Sequence, residues 1–358
     1  MLTSKAISVG IVYDKIYLRH SDVVGTHPES PSRLIKIMYS LEGLSLLKKV
    51  SVIKPEKAPL EAIYSVHDRE YVELIKNTSS ESFKYIDSDT YVNKWTYTAA
   101  LYAAGGTIKA IEATLAGNYL RVFALVRPPG HHAGIRGSAL GAPTLGFCIF
   151  NNVAIGAKYL LSKGFKKIAI VDIDVHHGNG TQEIFWTNPY VLHIDIHQRG
   201  IYPGTGSISD VGGGDAAGTK VNIPLDYGAG DITYSILLTE IIEPLISEFK
   251  PDYILVSAGF DAHHSDHLAG LSLTARGYYE IFSRIVKLAD RYCGGKLVAV
   301  LEGGYRDGLT KGVPNAIAAL MGVDPLVTED EVPDTYGSKV HDLISRMRRV
   351  LNVYWRLG

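Results

Sequence analysis

Short apolar runs rich in β-branched residues recur along this chain and alternate with longer stretches that have helical spacing. Several runs are apolar at almost every position, which is typical of strands buried on both faces of a parallel sheet. The alternation predicts an α/β domain with helices on both faces of the sheet. The predicted strands are residues 7–13, 121–126, 167–173, 190–196, 220–223, 253–257 and 297–301. The predicted helices are residues 31–47, 96–116, 151–162, 231–249, 274–292 and 313–321, with Ser30 as the cap and Pro31 as the first residue of the first helix.

The size and composition of the chain favour one large domain. Its 358 residues are 46% hydrophobic, so we predict a single domain over residues 1–358, with a helical tail at about 332–358. The net charge of -1 shows no excess of positive charge that would favour nucleic-acid binding. No apolar run approaches the ~18 residues of a membrane span. Cys148 and Cys293 are too far apart in sequence for a disulfide framework, and no signal peptide is recognised, so a cytoplasmic location is expected.

Charged and imidazole side chains follow four of the predicted strands, at the point where each strand ends. They lie at residues 127–132, 172–177, 261–264 and 302–305. Ligands of open α/β sheets gather outside the carboxyl ends of the strands. Any one of these segments alone would be interpreted as an ordinary polar loop, but four at the same edge predict a functional site.

One of these segments has the spacing of a metal site. Asp172, Asp174 and His176 alternate along the chain, so they point to one side if the strand continues through them. Asp261, at another strand end, would supply a third ligand to an ion held by Asp174 and His176. Three protein ligands with an open position are typical of catalytic zinc, although this ligand set also suits iron(II) or manganese. Taken alone, the Asp-x-Asp pattern also fits a helix cap or a magnesium–phosphate site.

Five motifs, in this order, resemble those of the zinc-dependent histone deacetylase superfamily, which includes acetylpolyamine amidohydrolases and acetoin-utilisation proteins. The resemblance begins at HPESPSRL, residues 27–34, and continues to about residue 322. It implies the arginase–deacetylase fold, an α/β fold with a single large parallel sheet. The motifs are RPPGHHA at 127–133, GFCIFNN at 146–152, DIDVHHGNG at 172–180, SAGFDAH at 257–263 and EGGY at 302–305.

The resemblance implies a role for each matching residue near the metal. Zinc would be held by Asp174, His176 and Asp261. His132 would act as general base and then as general acid, while His131 would contribute mainly through its charge.

Three further residues would support this chemistry. Asp172 would orient His131, and Asn179 would lie behind His132. Many relatives carry aspartate at this position. The asparagine of this chain resembles the class II and prokaryotic branch, and it would leave His132 less cationic. Tyr305 would donate a hydrogen bond to the substrate carbonyl and stabilise the developing oxyanion.

The resemblance also implies an apolar tunnel to the metal. Phe147 and Tyr202 would form its walls, and Asp89 would hold substrate backbone amides at its rim. Backbone groups around residues 172–176 would bind a structural potassium ion. Further substrate contacts are expected from Gly146, Leu268 and Gly303.

The predicted activity is hydrolysis of the amide of N-ε-acyl-lysine, chiefly acetyl-lysine, in proteins or peptides, which releases a carboxylate and a free amine. The alternative substrate is an acetylated polyamine. A polyamine-specific branch of the family carries glutamate seven residues after the third ligand, whereas this chain has Leu268, which resembles the acyl-lysine branch. Direct nucleic-acid or membrane partners are not expected, and the sequence leaves homo-oligomerisation open.

Two other classes of protein fit the sequence less well. A binuclear ureohydrolase on the same fold would need further carboxylates, but Gly178 stands two residues after His176 and His263 stands two after Asp261. A protein that only binds acylated partners would be expected to lose Tyr305 or a metal ligand, and none is lost.

Two departures from the family pattern carry hypotheses of their own. Residues 134–145 are rich in glycine and alanine, and this segment is longer than expected for class II members. We hypothesise that it reshapes the tunnel or an inner pocket and admits longer acyl chains, so long-chain acyl-lysine is a second alternative substrate. Asp195 stands where serine is expected near the potassium site, which argues against an unchanged ion site there.

Overall fold

The computed structural model describes residues 9–80 and 83–357. Eight parallel strands form one sheet, in agreement with the predicted fold class. Two short antiparallel pairs lie outside it, Lys84–Tyr85 with Tyr91–Val92 and Ala133–Gly134 with Gly137–Ser138. From edge to edge, the strands of the large sheet are Lys220–Leu225, Val191–Gln198, Ile168–Asp172, Tyr253–Ala258, Leu297–Leu301, Arg121–Ala124, Val9–Val12 and Ser51–Ile53.

Helices flank this sheet. The α-helices are Ser32–Gly43, Leu60–Tyr64, Arg69–Ser80, Thr96–Leu115, Asn152–Ser162, Asn179–Ile184, Asp231–Leu237, Glu243–Phe249, Ala275–Tyr292, Val313–Met321 and Val340–Leu351. Short 3-10 turns lie at Lys15–Arg19, Leu46–Lys48, Gly214–Ala216 and Gly337–Lys339. Two π-helical segments, Leu238–Ile242 and Gly308–Gly312, run directly into the α-helices that follow them.

The predicted strands are present with shifts of a few residues at their ends, while residues 7 and 8 of the first lie outside the described residues. Sequence reasoning missed the edge strand Ser51–Ile53, which is only three residues long and largely exposed. The first helix ends at Gly43, earlier than predicted. The predicted cap is wrong, because the hydroxyl of Ser30 pairs with that of Ser32 at 2.7 Å and Pro31 takes the cap position.

The chain changes direction between two central strands. From Ile168–Asp172 the chain continues to the neighbouring strand on one side, and from Tyr253–Ala258 it continues to the neighbour on the other side. The loops that leave these strands diverge, and the resulting crevice at the carboxyl ends is where α/β folds bind ligands. Asp172 lies in register between Ser257 and Asp195 at this edge.

The C-terminal segment packs against the body of the protein. Its helix Val340–Leu351 buries Leu343 and Met347, and the indole N–H of Trp355 donates to the carbonyl oxygen of Gly218 at 2.7 Å. None of the helices in the described part of the chain is both long and apolar enough to cross a bilayer.

Candidate active site

Two adjacent strands deliver the three predicted metal ligands. Asp174 and His176 follow the strand Ile168–Asp172, and Asp261 follows the strand Tyr253–Ala258. Nδ1 of His176 is 3.2 Å from both Oδ1 of Asp174 and Oδ2 of Asp261. The structure brings one ligand atom from each of these residues within 4.8 Å of the others.

The surroundings of these three residues fit a cation. Oδ2 of Asp261 is buried, and among the described residues it accepts no hydrogen bond of good geometry despite the 3.2 Å approach of His176 Nδ1, whereas Oδ2 of Asp174 accepts the N–H of Gly303 at 2.7 Å. A Cβ atom on Gly259 or Gly303 would overlap these carboxylates, so glycine keeps the space open. Burial and the charge of Asp174 raise the pKa of Asp261 to about 6, because close carboxylates repel each other. A bound divalent ion would neutralise that charge, and this set of oxygen and nitrogen donors is one that zinc uses.

His131 and His132 lie beside the three ligands in different electrostatic surroundings. Nδ1 of His131 is 3.0 Å from Oδ2 of Asp172, and its Nε2 is 3.7 Å from Oδ1 of Asp174. Burial alone would lower the pKa of His131, but these two carboxylates raise it well above its ordinary value. Burial and the charge of His131 lower the pKa of His132 well below its ordinary value. The pKa values of the two rings are therefore shifted in opposite directions, which suits a charge stabiliser beside a base.

Asn179 lies behind His132 and is fully buried. Its Oδ1 is 2.8 Å from Nδ1 of His132, at hydrogen-bond distance. The asparagine is the first residue of the short helix Asn179–Ile184, which follows the segment of the metal ligands directly. This connection links the position of His132 to the position of the metal site.

Gly146 and Tyr202 lie next to His132, and Phe147 follows Gly146 in the chain. The rings of Tyr202 and His132 meet edge to face with centroids 4.9 Å apart, and the Tyr202 hydroxyl donates to the carbonyl oxygen of Thr144 at 2.9 Å. Gly146 has a φ of +53°, and a Cβ atom there would lie 2.6 Å from Cδ2 of His132 and 2.7 Å from Cε1 of Tyr202. This position therefore requires glycine for both its backbone angle and its close contacts.

Tyr305 contacts Phe147. The two rings meet edge to face with centroids 5.9 Å apart, and the Arg33 guanidinium stacks 4.9 Å from the Tyr305 centroid. The backbone N–H of Tyr305 donates to Oδ2 of Asp266 at 2.8 Å. Burial raises the pKa of Tyr305 well above its ordinary value, so the phenol keeps its proton as a hydrogen-bond donor.

Asp89 and Leu268 are both partly exposed. Oδ2 of Asp89 accepts the hydroxyl of Thr144 at 2.6 Å, and its Oδ1 accepts the hydroxyl of Thr90 at 2.8 Å. Thr144 belongs to segment 134–145, so that segment contacts both Asp89 and the Tyr202 wall. Leu268 is 40% exposed, and its N–H donates to Oδ1 of Asp266, which places it beside the Tyr305 segment.

Sequence reasoning missed a buried ionic cluster next to Tyr305. The Glu29 carboxylate accepts Nε–H of Arg127 at 2.5 Å and Nη1–H of Arg33 at 3.1 Å, and all three side chains are almost fully buried. Arg33 also donates to the carbonyl oxygen of Gly304 at 2.7 Å, so the cluster holds the segment that carries Tyr305. The one local signal was the spacing of Glu29 and Arg33, which lie four residues apart, although Glu29 precedes the helix Ser32–Gly43 that carries Arg33.

Glu302 is a second residue whose contacts were missed. Its Oε2 accepts the backbone N–H groups of Gly130 at 2.7 Å and His131 at 3.2 Å. Burial raises the pKa of this carboxyl to about 7. The contacts fix the backbone of the histidine pair to the strand end that precedes Tyr305.

Asp195, which stands where serine was expected, is fully buried. Its Oδ2 accepts the N–H of Gly178 at 2.8 Å, and its Oδ1 is 2.7 Å from Nδ1 of His197. Asp195 also forms a group with Asp172 and His193 whose potential ligand atoms lie within 4.8 Å of one another. An anionic side chain with its own protein partners therefore lies beside the predicted potassium position.

A family model described as histone deacetylase domain matches residues 27–320. This chain belongs to the histone deacetylase family, and it is a hydrolase that acts on amide bonds. A protein of Archaeoglobus fulgidus named probable deacetylase is 43% identical over 361 residues, with 97% of this chain and 98% of that protein covered. The chloroplastic histone deacetylase 14 of Arabidopsis thaliana is 39% identical, with 91% and 81% covered. The crystal structure of the HDA15 HD domain superposes with a TM-score of 0.88 at 34% identity, over 98% of this chain and 96% of that chain.

Proposed function

We propose that this protein removes the acetyl group from N-ε-acetyl-lysine in proteins or peptides, as a zinc-dependent enzyme of a single domain in the cytoplasm. The observation that carries the choice of substrate is Leu268, an apolar and partly exposed residue next to the Tyr305 segment. An acidic side chain there would attract a polycation, and leucine gives no such attraction. The cytoplasmic location is supported by Cys148 and Cys293, which are both buried and free.

The chemistry divides between the metal and the protein. Asp174, His176 and Asp261 would hold a zinc ion, and that ion would supply Lewis acidity that makes a water more acidic and a carbonyl more electrophilic. The neutral ring of His132 accepts the proton of the attacking water and later gives a proton to the leaving amine. When the amide C–N bond breaks, the carbonyl carbon leaves as a carboxylate and the lysine leaves as a free amine.

Two other groups stabilise the charge that develops in the transition state. The hydroxyl of Tyr305 donates to the carbonyl oxygen as that oxygen becomes anionic, and loss of such a donor typically costs about 10²–10³ in rate. The ring of His131, whose pKa is raised by the charge of Asp172, lowers the energy of the negative charge that develops on the oxygens bonded to the reacting carbon. The rings of Phe147 and Tyr202 exclude water from the aliphatic stem of the substrate lysine.

A direct comparison of substrates tests the proposal. We expect the zinc-loaded enzyme to have a higher kcat/KM for an acetyl-lysine peptide than for acetylspermidine. A Leu268→Glu variant should shift the ratio of the two kcat/KM values toward acetylspermidine, while the matched uncharged variant Leu268→Gln should leave the ratio unchanged. A wild-type preference for acetylspermidine would contradict the substrate assignment, and inactivity on every acylated amine would contradict the function itself.

Long-chain acyl-lysine is the second candidate substrate because segment 134–145 contacts both Tyr202 and Asp89 through Thr144. One peptide carrying acyl groups of increasing length measures this preference. A kcat/KM that rises from acetyl to longer chains supports a long-chain deacylase, whereas a steady fall from acetyl supports the deacetylase.

A further inference from the structure

Asn179 makes two contacts through the two ends of its side-chain amide. Its Oδ1 lies 2.8 Å from Nδ1 of His132, and its Nδ2 donates to the carbonyl oxygen of Ala139 at 2.9 Å. All three residues are almost fully buried, so water does not replace either bond. Ala139 belongs to segment 134–145, the segment that departs from the class II pattern.

The Ala139 contact decides which end of the amide faces the histidine. A carbonyl oxygen only accepts hydrogen bonds, so the NH₂ end of Asn179 must face Ala139 and the oxygen must face His132. An amide oxygen likewise only accepts, so Nδ1 of His132 must carry the hydrogen. The neutral ring then has its free lone pair on Nε2. If the amide were reversed, its NH₂ end would require the lone pair on Nδ1 and the hydrogen on Nε2.

The turn that presents Ala139 is held by the helix that carries Asn179. Oε1 of Glu183 accepts the N–H of Ile135 at 3.0 Å, and its Oε2 accepts the N–H of Leu140 at 3.1 Å. Glu183 lies four residues after Asn179 in the helix Asn179–Ile184, so both side chains project from one face. The carboxylate therefore fixes the loop on both sides of Ala139.

We propose that residues 134–145, held by Glu183, orient the Asn179 amide and so set the tautomer of His132 that can act as a base. The proposal rests on the proposed function for its catalytic consequence. An aspartate in place of Asn179 would have two equivalent accepting oxygens and would need no such orientation, but it would face the Ala139 carbonyl with a second acceptor. Asn179 and the loop are thus a matched pair, and Glu183 is a positioning residue.

The tautomer is measured directly by ¹⁵N NMR of histidine-labelled protein, with the His132 signals assigned by comparison with a His132→Gln variant. In the wild type we expect the hydrogen on Nδ1, both with and without added zinc. In a Glu183→Ala variant we expect a mixture of the two tautomers. Hydrogen on Nε2 in the wild type, or an unchanged single tautomer in the variant, overturns the proposal.

Kinetics give the second measurement. A misplaced tautomer removes general-base catalysis, which typically raises the rate ~10²–10⁴-fold. Because Glu183→Ala should lose the correct tautomer only in part, we expect its kcat to fall about tenfold or more with little change in KM. The milder Glu183→Gln variant keeps one accepting oxygen and should lose less. The matched control is Glu248→Gln, because Glu248 also accepts a backbone N–H, from Arg356 at 2.8 Å, at an exposed site in the C-terminal region. Its kcat should stay within twofold of the wild type.

A double variant separates orientation from general damage to the fold. If the loop acts by orienting an asymmetric amide, Glu183→Ala should lower kcat much less in an Asn179→Asp background than in the wild type. Equal losses in both backgrounds would show a merely structural role and overturn the proposal. An inactive wild type would refute the proposed function alone, because the NMR result tests the orientation without any turnover.

Discussion

Replacement of Gly146 by alanine tests whether the walls beside His132 are as close as the structure places them. Because φ is +53° at this position, an alanine there should lower the free energy of unfolding by about 1–2 kcal/mol. The new Cβ atom would lie 2.6 Å from Cδ2 of His132 and 2.7 Å from Cε1 of Tyr202, below the 3.0 Å that real Cβ contacts keep, so one of the rings must move. Such overpacking adds about 1–3 kcal/mol to the loss of stability.

The matched control is Gly117→Ala. Gly117 also has a left-handed backbone, with a φ of +75°, but an added Cβ atom would have no neighbour within 4 Å. Both variants should lose free energy of unfolding in urea, and only Gly146→Ala should also lose kcat/KM on an acetyl-lysine peptide. A displacement of about 1 Å at a reacting group can cost 10²-fold, so we expect a loss of roughly tenfold to hundredfold. Equal activity of the two variants would refute the reasoning.

Three further predictions follow from the contacts of the site. Tyr305→Phe should lower kcat about 10²–10³-fold while the zinc content stays unchanged. Full activity of this variant would show that the Tyr305 hydroxyl makes no contact with the reacting carbonyl. Glu29→Gln leaves Arg127 and Arg33 buried without their shared carboxylate, so the free energy of unfolding in urea should fall by about 3–5 kcal/mol, and a loss below about 1 kcal/mol would contradict this. Chelation should abolish activity and lower the melting temperature. Zinc at 100 times its Kd should raise the free energy of unfolding again by about 2.7 kcal/mol. A melting temperature that changes with neither treatment would contradict this prediction.

The elements that sequence reasoning predicted are those whose signal is local. Continuous apolar runs such as Tyr253–Ala258 are buried at every position, and no surface-facing residue interrupts the pattern. The edge strand Ser51–Ile53 has exposed positions and only three residues, so it gave no such signal. The convergence of Asp174, His176 and Asp261 could be anticipated because all three follow strand ends at one edge of the sheet.

The contacts that sequence reasoning could not supply join residues far apart in the chain. Arg33 and Gly304 are 271 positions apart, and no property of either segment alone indicates their hydrogen bond. The length of segment 134–145 was visible in the sequence, but its contact with Asn179 depends on how the loop folds back onto a six-residue helix. Such contacts follow from tertiary packing, which periodicity and motif spacing do not encode.

The central claim is that Asp174, His176 and Asp261 hold one catalytic ion. A crystal structure of the zinc-loaded protein with anomalous data at the zinc edge measures this most directly. We expect one ion per chain, at ~2.0–2.2 Å from one oxygen of each aspartate and from Nδ1 of His176, with an open position that faces His132 and Tyr305. An ion bound elsewhere, or one at this point with four protein ligands and no open position, would contradict it.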